Sequence, residues 1–84
     1  MKRNEDIELR VSVFRRNALK GSIKKIRAKI QANGMAAKEV ARCLSHIAYL
    51  TEELGEAEEA VKTFRQALRL DPDNSMAKQA LNIQ

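Results

Sequence analysis

Apolar residues recur along most of this chain at three- and four-residue spacing, the period of an α-helix with one buried face. The clearest case is residues 57–68. There Ala57, Ala60, Val61, Phe64, Ala67 and Leu68 fall on one side, and Glu58, Lys62 and Arg65 fall between them. A second stripe, Ala37, Val40, Ala41, Leu44, Ile47, Ala48 and Leu54, predicts a helix over 36–53. Only Gly55 and its neighbours separate the two, so they must fold back on each other as an antiparallel hairpin.

The ends of these segments are sharply marked. Glu56, Glu58 and Glu59 crowd the first turn of the later helix and Lys62, Arg65 and Arg69 follow, which matches the helix dipole. Asp71-Pro72 stops it, because proline drives the residue before it out of the helical region. Asp73 or Asn74 can then cap a further short helix whose apolar side is Met76, Ala77, Ala80 and Leu81.

Upstream the pattern changes phase. Ile7, Val11, Phe14 and Ala18 form one stripe; Leu19, Ile23, Ile26 and Ile30 form another, out of step with the first by one residue. That slip and Gly21 together predict two helices, at about 5–19 and 22–33. Asn33-Gly34 offers a left-handed cap for the second. The rival reading is one helix running through Gly21, where glycine costs only about 1 kcal/mol relative to alanine.

With these residues in view, the segment 41–74 resembles a tetratricopeptide repeat, a helix–turn–helix unit of about 34 residues. Leu44 and Ile47 stand at the large apolar sites of its first helix, and Ala48 and Ala60 at the small sites where the helices cross. Leu54-Gly55 makes the turn, Phe64 is the aromatic plug, Ala67-Leu68 the closing pair and Pro72 the terminator. Leu44, Thr51 and Ala57 depart from the family pattern, each replacing a common aromatic. Residues 7–40 read as a degenerate repeat and 75–84 as a cap or a truncated helix. The resemblance implies one all-α domain over 1–84, a short tetratricopeptide-like solenoid of about five helices in stacked antiparallel hairpins. It also implies a non-enzymatic adaptor that binds a protein or peptide. Two repeats and a fraction leave apolar ends uncovered, so self-association as a homo-oligomer, or completion by a partner, is expected.

Composition narrows the alternatives. Of the 84 residues 44% are hydrophobic but only 4% aromatic, which favours close-packed helices built from Ala, Leu, Ile and Val. One cysteine, Cys43, excludes an internal disulfide, and with a single histidine it cannot complete a Cys/His zinc site. No apolar run spans a bilayer and no signal peptide opens the chain, so a cytoplasmic location without membrane attachment is expected. No phosphate-binding glycine loop, calcium loop or other cofactor motif is present. Cys43 and His46 share a helical face, but Cys43 sits in the packing stripe and no acid orients the pair. No residue is assigned as catalytic.

Two sets of candidate binding residues remain. By position in the repeat, the groove of the first helices would be lined by Arg42, Ser45, His46, Tyr49 and Glu52, with Val11 and Arg15 from the earlier segment. The family's carboxylate clamp needs Lys and Asn where this chain has Val11, Arg15, Arg42 and His46, so that clamp is not expected. The second set is basic: Arg16, Lys20, Lys24, Lys25, Arg27 and Lys29. Residues 1–40 hold eleven basic side chains against four acidic ones, a net +7, and residues 41–84 five against seven, a net −2. Nucleic-acid binding through the basic half is therefore the alternative function. No aromatic residue is interleaved with the basic ones to stack bases.

Overall fold

The computed structural model describes residues 3–32 and 34–83, with side chains from residue 12 onward. Four helices account for most of it: α1 (Arg3–Ala32), α2 (Ala37–Glu53), α3 (Ala57–Leu70) and α4 (Ser75–Ala80). The expected solenoid of about five helices has one fewer among the described residues, because Gly21 does not break α1. The hairpin predicted from helices at 5–19 and 22–33 is not formed.

The cause lies on both sides of the glycine. Leu19 precedes it and Ile23 follows it, and both are half-buried, as are Ile26 and Ile30. Among the described residues, α2 is the one helix that α1 packs against. Burial of one line of side chains against α2 therefore carries the helical register through position 21, against a cost of about 1 kcal/mol for glycine. Within one helix the two apolar lines, 7/11/14/18 and 19/23/26/30, run about a third of a turn apart. Gly34 is not left-handed, so the expected glycine cap is not made there; Asn33 lies outside the described residues.

The centre of the fold is the α2–α3 hairpin. Its core is Ala41, Ala48, Ala60, Phe64 and Ala67, with Ala77 from α4, and the half-buried Leu44, Leu68 and Leu81 pack around it. Alanines at 48 and 60 let the helices approach closely, and Phe64 fills the remaining volume. Ile47 is fully buried and Leu54 nearly so. Ala37 and Ala57, assigned to the apolar stripes, are exposed at the starts of their helices. Thr51, where the family favours an aromatic, is buried and donates its hydroxyl to the Ile47 carbonyl at 2.7 Å.

Backbone chemistry fixes the turn. Gly55 has φ of 86°. The Gly55 N–H reaches the Glu52 carbonyl at 2.9 Å and the Glu56 N–H reaches the Thr51 carbonyl at 3.2 Å. This is a Schellman cap, which needs a left-handed residue that glycine supplies without a Cβ clash. After Asp71-Pro72 the Asn74 side chain accepts from the Ala77 N–H at 2.9 Å and starts α4. The helix is brief: Asn82, with φ of 58°, ends it in a second Schellman turn. Leu81 is half-buried as expected, whereas Met76 and Ala80 face solvent.

Candidate functional site

Antiparallel packing of α1 on α2 brings residue 15 beside the end of α2. The Arg15 guanidinium donates to the Glu53 carboxylate at 3.2 Å. Tyr49 stands one turn back from Glu53 on α2. The Tyr49 pKa is raised above its ordinary 10.0, first by the hydrogen bond to Glu53 and next by the charge of Glu53. Glu53 is held below its ordinary 4.5, first by the hydrogen bond from Arg15 and then by that from Tyr49. Arg15 and Glu53 thus join the two helices, with Tyr49 as their neighbour on α2. All three sit at the surface, where water screens such pairs strongly, so their role is positional.

Beyond this group an open line runs along α2. Arg42, His46 and Tyr49 are spaced four and three residues apart and all are exposed, Tyr49 at 50%. They share one face because i, i+4 and i+7 align on a helix. Arg15, Arg42, His46 and Tyr49 are therefore gathered at one surface. Ser45 is not part of it. Its side chain is fully buried and donates to the Asn74 side-chain oxygen at 2.8 Å, tying α2 to the start of α4. The reason is angular: Ser45 is one turn from Ala41 and lies on the packed side of α2. Glu52 is exposed at the end of the helix and acts on Tyr49 only as the weakest of its charged neighbours. The acid in contact with Arg15 is Glu53, which was missed. Its i+4 spacing from Tyr49 was the available signal. The side chain of Val11 lies outside the described residues.

Arg16, Lys20, Lys24, Lys25, Arg27 and Lys29, the candidate basic set on α1, are all exposed. Continuity of the helix aligns Arg16, Lys20, Lys24 and Arg27 on one side and sends Lys25 and Lys29 to another. Cys43 is half-buried, and His46, one turn on, is exposed. Among the described residues no group of three or more His, Cys, Asp or Glu side chains is placed to hold a metal ion. Among the same residues no helix is long and apolar enough to cross a membrane.

The α2–α3 hairpin is a helix–turn–helix unit that presents one exposed polar and aromatic edge. Residues 41–74 match the family model described as tetratricopeptide repeat, and that segment is a tetratricopeptide repeat within an all-α chain. The class is one of protein–protein interaction units and is generally non-enzymatic. No curated protein and no solved structure matches the chain.

Proposed function

We propose that the chain is a cytoplasmic adaptor and that the line Arg42, His46 and Tyr49 on α2, bordered by Arg15 and Glu53 where α1 meets it, is its binding groove. The observation that carries this reading is the exposed aromatic side chain of Tyr49, half of it open to a ligand, one turn from Glu53, where the Arg15–Glu53 ion pair joins α1 to α2. A tyrosine offers a large, flat, amphipathic contact surface with few side-chain torsions to fix. Arg42 and His46 extend the surface with donors suited to an acidic or carbonyl-rich segment. Ser45 contributes from beneath, by holding α4 at the far border of the line.

Selection from a displayed peptide library tests the groove. Peptides captured by the full chain should lose binding to Tyr49→Ala and Arg42→Glu while both variants melt as the parent does. Peptides that bind both variants unchanged would remove the groove from consideration.

A second reading, nucleic acid along α1, has in its favour the alignment of Arg16, Lys20, Lys24 and Arg27. It requires affinity for DNA or RNA that falls steeply with salt. Absence of binding at low ionic strength disposes of it.

A further inference from the structure

The positive charge of the chain is collected on one helix. From residue 12 to residue 32, α1 carries seven basic side chains and no acidic one, a net +7. Residues 34–83 carry six basic and eight acidic side chains, a net −2. Arg15 is paired with Glu53. Among the described residues the other six enter no ion pair, and all six are exposed.

Their placement around the helix follows from its packing. The half-buried line Leu19, Ile23, Ile26 and Ile30 marks the side of α1 that α2 covers. At about 100° per residue, Asn17, Gly21 and Ala28 fall on the opposite side and face away from α2. Arg16, Lys20, Lys24 and Arg27 form one flank of this crown, and Lys25 and Lys29 form the other. The crown is low: its three residues are exposed, and a Cβ built on Gly21 meets nothing within 4 Å. The cations therefore border a ridge of small side chains over about 20 Å of helix axis.

We infer that this ridge lies in the major groove of duplex DNA, with its two flanks on the phosphates of the two strands. The inference rests on the nucleic-acid reading above and names the form that is bound. The groove is about 12 Å wide and admits an α-helix. Phosphates line both of its walls, so cations on both flanks are matched, whereas a one-sided stripe would follow a single strand. The crown offers only Asn17 to the base edges, so affinity comes from the backbone and depends little on sequence.

Two other anionic partners fit this surface less well. A helix that settles on an anionic bilayer presents an apolar face to it. The apolar line of α1 is turned to α2, and its large exposed apolar residues, Val13 and Phe14, sit together at one end of the described side chains. Single strands are held by stacking on aromatic rings, and between Arg16 and Lys29 there is none.

Fluorescence anisotropy with the full chain and a short labelled DNA duplex of arbitrary sequence tests this. With six cations on phosphates, log affinity should fall against log salt with a gradient of about −5, roughly a thousandfold between about 50 and 200 mM. Lys20→Gln with Lys24→Gln on one flank, and Lys25→Gln with Lys29→Gln on the other, should each make the gradient shallower by about 2, with melting as in the parent. Single-stranded DNA and duplex RNA, whose major groove is deep and narrow, should both bind more weakly. No binding to any of the three at low salt overturns the inference and the nucleic-acid reading together. Single strand or duplex RNA bound as tightly as duplex DNA overturns the inference alone, and so does a flank whose double change has no effect. Equal affinity for poly-glutamate or for vesicles rich in phosphatidylserine also overturns it, since the flanks would then be an unselective cationic surface.

Discussion

Asn74 carries two structural duties on a single oxygen. It accepts from the Ala77 N–H at 2.9 Å as the cap of α4 and from the Ser45 hydroxyl at 2.8 Å as the tie to α2. Ser45→Ala removes the tie but leaves that oxygen its cap bond, so the loss should be about 1 kcal/mol, the net worth of one hydrogen bond. Asn74→Ala removes the cap, worth about 1 kcal/mol. It also strands a fully buried hydroxyl, which adds about 1–3 kcal/mol. Its total of about 2–4 kcal/mol is a large share of the roughly 5–15 kcal/mol that holds a small domain folded. In the double variant no hydroxyl is stranded, so its cost should fall below the sum of the single changes. Urea unfolding followed by circular dichroism measures all three, and the slope must stay constant for the comparison to hold. If the two changes add, or if Asn74→Ala costs no more than Ser45→Ala, α4 is not fastened to α2 through this oxygen.

Four further outcomes follow from packing, backbone geometry and charge. Phe64→Ala should cost on the order of 3–5 kcal/mol in the same unfolding assay; a loss below about 1 kcal/mol would mean that the hairpin does not close around this ring. Gly55→Ala should destabilise by about 1–2 kcal/mol, the cost of a Cβ at a left-handed position, whereas Gly21→Ala should stabilise by up to about 1 kcal/mol. A destabilised Gly21→Ala would show that the chain bends where the structure has a straight helix. In a carboxylate titration by NMR, Arg15→Ala should move Glu53 back up towards its ordinary 4.5. Because the native value is depressed, the contribution of Glu53 is present above 4.5 and is lost as pH falls through the native value. Tyr49 runs the other way: its raised value gives a contribution present below 10.0 and lost as pH rises through the native value.

What the sequence made legible was what depends on local pattern. The α2–α3 hairpin, the turn at Gly55, the plug at Phe64 and the stop at Pro72 are each written in residues within a turn or two of where they act. The course of α1 was harder, because Gly21 and the phase slip are local signals while the burial that overrides them comes from α2. One clue was present: Leu19, before the glycine, belongs to the same line as Ile23. At the proposed groove, Arg15, Arg42, His46 and Tyr49 follow from position in the repeat. Ser45 and Glu53 do not, since each is decided by a contact with another helix, Asn74 for one and Arg15 for the other.

Because α1 packs on α2 and, among the described residues, on no other helix, its detachment should leave the α2–α3 hairpin intact. Amide exchange should therefore be graded, faster in α1 and slowest in α2 and α3. Unfolding watched at Tyr49, the sole tyrosine in a chain without tryptophan, would sense the departure of Arg15 before the helical signal as a whole has fallen. Two probes of one small chain would then give two midpoints, and the gap between them would measure how loosely its first helix is held.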